Sequence, residues 1–416
     1  MTIFPKLGLN DTLQANVAAL GYKTPTYIQE QSIGAVLSGA DTYAIAPTGT
    51  GKTAAYLLPT LQELSRTDNS AEQVRPIRAL FLVPTRELAQ QVEESINQYG
   101  KGLGLRTISV FGGVRIPSQV NRFKRGADIV VATPKRLVDL IKLKAFSLDQ
   151  IQHFVMDEAD RLVSMGIVNE LRAIMAALPA KRQVILFSAT DSKALQKFSD
   201  ANQNHVKVIK TDDVQPALDK IIHTMYRCFR DHKPENLLTL IKMVNFDRAL
   251  IFARTKKDVE FLTTLLNEKG HKSVGIHNEV PQKQRQEILK QFKDHEVTFL
   301  VATDIVSRGV DIAQLYYVIN YDLPVNANDY IHRAGRTART ATSLSTNKTS
   351  DEDKKVKQSI SQQITAERFG FKKPEQVKTK DIHGHIFSLV SAEQEPIIER
   401  ISQAIGKEMK VEWHSW

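Results

Sequence analysis

The chain has 416 residues, of which 42% are hydrophobic, a formal net charge of +10 and one cysteine. This length exceeds what one hydrophobic core organises and predicts two domains of about 200 residues each. A membrane span and export are not expected, because no apolar run reaches about 18 residues and the N-terminus lacks a signal-peptide pattern. The single Cys228 cannot form an intramolecular disulfide, so we expect a soluble protein of the reducing cytoplasm. The positive charge suits a polyanionic partner but identifies none.

Short runs rich in Val, Ile, Leu and Phe alternate with helical patterns along the chain, which is typical of an α/β fold with a mainly parallel sheet. In the first half we predict strands at Tyr43–Ala46, Ala79–Val83, Thr107–Val110, Ile129–Ala132, His153–Met156 and Val184–Phe187. In the second half we predict strands at Ala249–Phe252, Thr298–Val301, Tyr317–Asn320 and His385–Val390. The flanks of Cys228 also indicate a strand, with its thiol packed in the fold.

A polar, proline-containing stretch separates the two series of strands. It predicts domains at 1–207 and 219–416, joined by a linker at 208–218. Residues 341–384 are rich in Ser, Thr, Lys, Asp, Glu and Gln and indicate a surface insertion, within which 354–371 has near-helical apolar spacing. The strand pattern then resumes and a helix is expected at Pro396–Ile405, so the second domain closes after the insertion.

The segment Ala46–Thr53 follows a predicted strand and resembles a phosphate-binding loop. A strict Walker pattern has Gly where this chain has Ala46, so the loop is a variant. Its small residues let backbone N–H groups approach phosphates, and Lys52 can neutralise the β and γ oxygens. Thr53 offers a hydroxyl to Mg²⁺. Taken alone, the segment could also be a glycine-rich turn with no nucleotide.

The segment Asp157–Asp160 follows another apolar run, His153–Met156, and places two adjacent carboxylates at the end of a buried strand. Asp157 would bind Mg²⁺ directly or through water, while Glu158 would orient and deprotonate an attacking water. The alternative for this pair is the solvated start of a helix. Because the loop and the carboxylates occur together and in order, the sequence predicts a nucleotide-hydrolysing site.

With these residues the chain resembles the DEAD-box ATP-dependent RNA helicases over nearly its whole length. The matching segments occur in the family's order. They are Gly21–Gln29, Pro84–Ala89, Gly112–Gly113, Thr133–Leu137, Asp157–Asp160, Ser188–Thr190, Ala302–Asp311 and Tyr330–Arg339. The resemblance implies two tandem RecA-like domains and an ATP hydrolase that acts on single-stranded and duplex RNA with Mg²⁺.

The resemblance also implies the roles of individual residues. Catalysis is expected from Lys52, Asp157, Glu158 and two arginine fingers, Arg336 and Arg339, which a helical start would aim the same way. Mg²⁺ is expected at Thr53 and Asp157, partly through water. ATP binding is expected from Phe4, Tyr22, Gln29, Thr48, Gly49, Thr50, Gly51, Lys52, Thr53 and Asp311.

Two further groups follow from the same resemblance. Hydrolysis would be coupled to domain closure by Asp160, Ser188, Thr190 and His332, with His332 linked to both Asp160 and Ser188. RNA would be bound by Pro84, Arg86, Gly113, Thr133, Arg136, Arg254 and Thr303. Each of these side chains alone would be read as a surface ion pair, a turn or a core residue. Gln29 alone would be read as a helix cap.

Three departures from the family pattern stand out. Lys135 occupies a position that is usually Gly, Ala338 replaces the usual Gly before the last arginine, and residues 341–384 lengthen a connection that is normally short. Lys135 adds charge, but also a side chain where backbone could approach RNA, so the sign of its effect is open. Ala338 restricts the backbone beside Arg339. The insertion is either a tolerated loop or a contact for RNA or a protein partner.

Because the phosphate loop and the arginine fingers lie in different halves, the sequence predicts that ATP is hydrolysed only when the halves close on single-stranded RNA. Contacts to phosphates and 2′-hydroxyls would favour RNA over DNA with little sequence reading. A monomer is expected. The alternative functions are an RNA-dependent ATPase that clamps RNA or remodels RNA–protein complexes, an ATP-gated scaffold without turnover, and a DNA-dependent enzyme.

Overall fold

A computed structural model describes residues 3–47, 49–67, 72, 74–211, 218, 221–304, 315–337 and 384–413. These residues form two seven-stranded parallel sheets. The first sheet contains β1 Thr42–Ile45, β2 Ala79–Leu82, β3 Thr107–Val110, β4 Ile129–Ala132, β5 His153–Met156, β6 Gln183–Ser188 and β7 Lys207–Lys210. The second contains β8 Ile221–Arg227, β9 Ala249–Phe252, β10 Ser273–Ile276, β11 Phe299–Ala302, β12 Tyr317–Asn320, β13 Gly384–Val390 and β14 Val411–Trp413.

The two sheets have the same topology. Their strand orders are β3-β4-β2-β5-β6-β1-β7 and β10-β11-β9-β12-β13-β8-β14, so each runs third, fourth, second, fifth, sixth, first and seventh in chain order. The predicted parallel α/β fold is confirmed, and the ten strands predicted with bounds are present with their ends shifted by one residue at most. The strand predicted through both flanks of Cys228 is wrong in its extent, because β8 ends at Arg227 and a 3-10 turn follows at Arg230–His232. Fully apolar strands such as Ile129–Ala132 are buried on both sides, which is why they appear in sequence as continuous apolar runs.

Helices cover both faces of each sheet. In chain order they are α1 Asp11–Ala19, α2 Tyr27–Leu37, α3 Lys52–Ser65, α4 Arg86–Tyr99, α5 Ile116–Arg122, α6 Pro134–Lys142, α7 Ala159–Ser164, α8 Val168–Ala177, α9 Lys193–Asn202, α10 Lys233–Val244, α11 Lys256–Glu268, α12 Gln282–Lys293, α13 Ala327–Ala334 and α14 Pro396–Ile405. Several begin at a Ser, Thr or Asn whose side chain accepts from the first helical turn, as at Thr85, Thr255 and Asn326. Helix α14 has the bounds that the sequence predicts.

The cores lie between sheets and helices, two for each sheet. Alternate residues of one strand enter opposite cores: Phe81 packs on one side of the first sheet, and Leu80 and Leu82 pack on the other. Cys228 is buried and its pKa is raised by burial, which agrees with the predicted packing role. Trp413 belongs to β14, which pairs with β8 at the edge of the second sheet.

The first sheet extends past the predicted domain boundary at residue 207. Residues 207–210 form β7, which pairs with β1 at the sheet edge, so the stretch assigned to the linker begins inside the fold. Sequence reasoning missed β7 because three of its four residues are exposed and only Ile209 reaches the core. Most of the remaining linker and the insertion, except Gly384 in β13, lie outside the described residues.

Candidate active site

The predicted phosphate loop connects β1 to the first turn of α3. Gly51 has φ +88° and a Cβ there would collide with the amide of Gln29, so this position requires glycine. The ammonium of Lys52, the first residue of α3, donates to the carbonyl of Ala46 at 2.7 Å. The loop therefore curls around a buried lysine at a helix N-terminus, a geometry suited to phosphate oxygens.

The predicted carboxylates follow β5 and face this loop. Glu158 adopts the left-handed conformation, with φ 49° and ψ 47°, immediately before α7. A non-glycine residue in this region is uncommon and costs free energy that the surrounding structure must supply. One oxygen of Asp157 accepts from the backbone N–H of Glu158 at 2.8 Å. The strained turn thus aims two buried carboxylates at one place.

Charges from both halves of the chain meet at this pair. Burial raises the pKa of Glu158, but Arg161, His332 and Arg336 more than offset it, so the net pKa is lowered. Burial raises the pKa of Asp157 against the opposing effect of Lys52. Burial also lowers the pKa of Lys52, and Arg336 lowers it further. Arg336, from the second half, therefore lies within electrostatic reach of both the phosphate loop and Glu158.

Asp160 contacts the second half directly. Its Oδ2 accepts from the hydroxyl of Thr190 at 2.6 Å and from the Thr190 backbone at 3.2 Å. His332 Nε2 lies 3.4 Å from the same oxygen. Burial opposes ionisation of Asp160, but the contacts with His332 and Thr190 prevail and hold its pKa below the ordinary value.

Two expectations for this region need correction. The hydroxyl of Ser188 donates to the carbonyl of Thr190 at 2.6 Å, and the described residues contain no hydrogen bond from it to His332. Ser188 therefore reaches His332 only through Thr190 and Asp160. Helix α13 ends at Ala334, so Arg336 lies in the turn after a helix and not at a helical start. Arg339, Ala338, Thr48 and Asp311 lie outside the described residues.

Of the residues expected around adenine, Gln29 contacts the phosphate loop, while Tyr22 and Phe4 pack against each other. Tyr22 is 37% exposed, whereas Phe4 is buried and meets the Tyr22 ring edge-on at 6.2 Å. Tyr22 thus offers a surface for a base and Phe4 supports it. The amide of Gln29 caps α2, accepting from Thr26 N–H at 2.9 Å and donating to Gly51 O at 3.2 Å. The side chain is buried, and its carboxamide retains one further acceptor and one donor for a base.

A cavity of about 250 Å³ gathers four of the residues predicted to bind RNA. Pro84, Arg86, Thr133 and Arg136 line it, together with the exposed Lys135. Gly113 lies against Arg86, since a Cβ added at Gly113 would collide with the Arg86 guanidinium. The φ of Gly113 is +86°. Burial and nearby Arg285 and Arg136 lower the pKa of Arg86. Clustered guanidinium groups of this kind suit phosphate oxygens.

The second half closes this cavity with Asn278 and Arg285. Arg285 forms an ion pair with Glu87, and both side chains are buried. Arg285 also donates to the carbonyls of Val280 at 3.0 Å and His277 at 2.8 Å, which fixes its orientation. Sequence reasoning missed this contact, because nothing in the sequence links residues 198 positions apart.

The other two predicted RNA residues lie in the second half. Arg254 is partly exposed and donates to Asp322 from both its backbone and its guanidinium, each at 3.3 Å. The hydroxyl of Thr303 is buried and has no partner among the described residues. Neither residue lines the cavity, so the structure does not bring them together with the first group.

Comparison with known proteins identifies the family. Residues 26–198 match the DEAD/DEAH box helicase model and residues 232–341 match the helicase conserved C-terminal domain. The RNA helicase CrhR of Synechocystis is 38% identical over 335 residues, which cover 80% of this chain and 67% of that protein. The chain belongs to the DEAD-box RNA helicases.

Solved structures of DEAD-box relatives share the fold. S. cerevisiae Dbp5 bound to RNA and ADP BeF3 has a TM-score of 0.76 and 26% identity, over 100% of this chain and 96% of that chain. Mss116 bound to single-stranded RNA and UDP-BeF has a TM-score of 0.80 and 25% identity, over 100% and 81%. The expected tandem RecA-like fold is therefore confirmed, and the chain is an ATP-hydrolysing RNA helicase.

Proposed function

We propose that this helicase hydrolyses ATP only when its two domains close on single-stranded RNA, and that closure separates short RNA duplexes locally. The observation that carries the proposal is that His332 and Arg336, from the second domain, reach Asp160 and Glu158 of the first. A site assembled from both domains is complete only in the closed arrangement. ATP hydrolysis is then coupled to domain closure, because only the closed arrangement has the complete site.

Within this site we assign roles to the chain's own residues. Lys52 holds the β and γ phosphates, and Glu158 orients the attacking water and accepts its proton. Arg336, together with Arg339, stabilises charge on the transferred phosphoryl group. Tyr22 and Gln29 hold the base. Contacts among Asp160, Thr190 and His332 hold the two domains in the closed arrangement. The strained backbone of Glu158 supports its role, since such outliers cluster at functional sites.

Mg²⁺ fits the residues present. Asp157 and Thr53 supply a carboxylate and a hydroxyl, the hard oxygen ligands that Mg²⁺ prefers, with the remaining positions left to phosphate and water. The described residues contain no cluster of three or more His, Cys, Asp or Glu side chains able to hold a metal alone. When bound, Mg²⁺ would neutralise charge on the β and γ phosphates.

The RNA path follows the cavity lined by Arg86, Thr133 and Arg136. Contacts there are to the backbone of the RNA strand, so duplexes would be separated without sequence reading.

We extend the first domain through Thr211, because β7 and the hydrogen bond from Thr211 to Ile45 belong to the first sheet. No helix among the described residues has the length and apolar character to cross a bilayer. We propose that the protein acts as a cytoplasmic monomer, with the C-terminal domain or the insertion at 341–384 as the site for any protein partner.

The proposal is tested by measuring phosphate release with no nucleic acid, with single-stranded RNA and with a DNA oligonucleotide of the same sequence. RNA is expected to raise the rate well above that of the protein alone, and DNA to raise it far less. A rate that RNA leaves unchanged contradicts the coupling. Stimulation by RNA without release of a labelled strand from a short duplex would favour the clamp over the unwinding enzyme.

A further inference from the structure

A tyrosine hydroxyl contacts one of the two residues assigned to Mg²⁺. Tyr56 is on α3, one turn after Lys52, and its side chain is fully buried. Its hydroxyl donates to Asp157 Oδ2 at 2.8 Å. One phenol therefore holds a candidate metal ligand from within the core.

The ring of Tyr56 is held firmly. Its centroid is 5.8 Å from that of Phe81 on β2 and 5.2 Å from that of Phe187 on β6, at 41° and 66° between planes. Packed aromatic pairs of this kind add stabilisation beyond the area they bury. Since the ring cannot move without disturbing two strands of the sheet, the position of the hydroxyl is set by the core.

Asp157 is anchored at both oxygens by these contacts. Oδ2 accepts from Tyr56 and Oδ1 accepts from the backbone N–H of Glu158 at 2.8 Å. A carboxylate has about four lone-pair directions, so each oxygen keeps one for a metal ion or its water. Without Tyr56, only the backbone N–H would oppose rotation of the carboxylate.

We propose that Tyr56 is a positioning residue that fixes the rotation of Asp157 for the Mg²⁺–nucleotide complex. The inference rests on the proposed nucleotide site. Groups that orient metal ligands in this way affect metal affinity by about 10- to 100-fold when they are removed. Tyr56 contacts neither ATP nor the reacting atoms and acts only through Asp157.

The test compares two conservative variants of the full chain. Tyr56→Phe removes the hydroxyl and keeps the ring. Tyr43→Phe is the matched control, because Tyr43 is also buried in the first domain and donates to an aspartate, Asp191, at 2.9 Å. Binding of a fluorescent ADP analogue is measured across a Mg²⁺ series, with RNA absent, and thermal unfolding is measured in the same buffer.

Tyr56→Phe is expected to raise the Mg²⁺ concentration for half-maximal binding about tenfold, with a smaller change in kcat at saturating Mg²⁺. Tyr43→Phe is expected to match the parent. Equal Mg²⁺ dependence in Tyr56→Phe and the parent overturns the inference, and so does an equal shift in both variants. In an Asp157→Asn background, Tyr56→Phe is expected to have no further effect, since the two residues act as one unit.

Failure of the inference is distinguishable from failure of the proposed function. If the parent protein does not bind the analogue at any Mg²⁺ concentration, the nucleotide site itself is wrong. If the parent binds with a Mg²⁺ requirement that Tyr56→Phe shares, only the positioning role is wrong. The unfolding measurement shows whether a shift in binding comes from loss of the fold.

Discussion

The two domains share one topology but differ in their lysine–aspartate pairs. In the first, α3 begins at Lys52 after β1, and Asp157 follows β5. In the second, α10 begins at Lys233 after β8, and Asp322 comes two residues after β12. Because both sheets have the same strand order, the two lysine–aspartate pairs occupy equivalent places. We propose that only the first pair belongs to the nucleotide site.

The difference lies in what the lysines contact. Lys233 donates to Tyr321 O at 2.9 Å, Asp322 Oδ1 at 3.0 Å and Gln394 Oε1 at 2.7 Å. These contacts use all three N–H donors of the ammonium. Among the described residues, Lys52 donates to Ala46 O alone. The second lysine is saturated by protein, whereas the first keeps donors for phosphate oxygens.

The two lysine–aspartate pairs also differ in what the aspartate contacts. Asp322 joins Lys233 to Arg254, so the second domain uses the position equivalent to Asp157 to hold a candidate RNA contact. Buried ion pairs are costly to break once formed, because the remaining charge loses its partner. We therefore propose that the second pair stabilises the fold and that the first serves the chemistry.

Replacing each lysine by methionine should give the largest difference between the two domains. Lys52→Met is expected to lower ATPase activity about 100- to 1,000-fold through lost charge on the phosphates. Lys233→Met is expected to cost about 3–5 kcal/mol of unfolding free energy because Asp322, Tyr321 O and Gln394 Oε1 all lose the buried ammonium that they share. The measurements are phosphate release and urea unfolding followed by tryptophan fluorescence. That signal reports on the second domain, since both tryptophans lie in the last four residues.

Equal loss of stability in both variants, or ATPase loss in folded Lys233→Met, would contradict the assignment of distinct roles.

The contact between the domains offers a second test. Glu87→Gln removes the charge that pairs with Arg285 and should raise the RNA concentration for half-maximal ATPase about tenfold, because the closed arrangement loses a buried ion pair. Glu93→Gln is the control, since Glu93 is on the same helix and pairs with Arg122 of its own domain. Identical RNA dependence in the two variants would show that the Arg285–Glu87 pair does not favour closure.

The second domain should lose stability in acid. Burial lowers the pKa of His223 to about 4 and that of His385 to about 3, against about 6.5 when unfolded. Below pH ~6.5 the unfolded chain binds protons that the folded domain does not. The unfolding free energy of the second domain should therefore fall by about 1.4 kcal/mol per pH unit per histidine between pH ~6.5 and ~4.

Urea unfolding at several pH values, followed by tryptophan fluorescence, measures this slope. His385→Gln is expected to reduce it by about half, because one of the two histidines is removed. A slope that His385→Gln leaves unchanged would contradict the explanation.

Much of the fold was predictable because parallel strands buried on both faces are apolar throughout, as in Ile129–Ala132 and Ala249–Phe252. The strands that were missed entirely, β7, β10 and β14, lie at sheet edges, whereas the interior strand β8 was predicted only at its end beside Cys228. Strand β10 contains Gly275, whose added Cβ would press on Thr263. At Gly275 the close packing of helix α11, and not β propensity, selects glycine.

Within the site, the motifs predicted which residues converge but not how they bond. The link from Asp160 to His332 could be predicted from the resemblance, whereas Ser188 bonds to Thr190 instead. Tyr56 gave no signal because a tyrosine on an apolar helix face is ordinarily core. Only the position of the end of β5 shows that its hydroxyl meets Asp157.

The central claim, that the second domain completes the active site of the first, is tested most directly by single-turnover ATP hydrolysis in Arg336→Ala with saturating single-stranded RNA. The account predicts that hydrolysis falls about a thousandfold, while affinity for a fluorescent ADP analogue without RNA stays at the parent value. Hydrolysis at the parent rate in the folded, RNA-bound variant would contradict it.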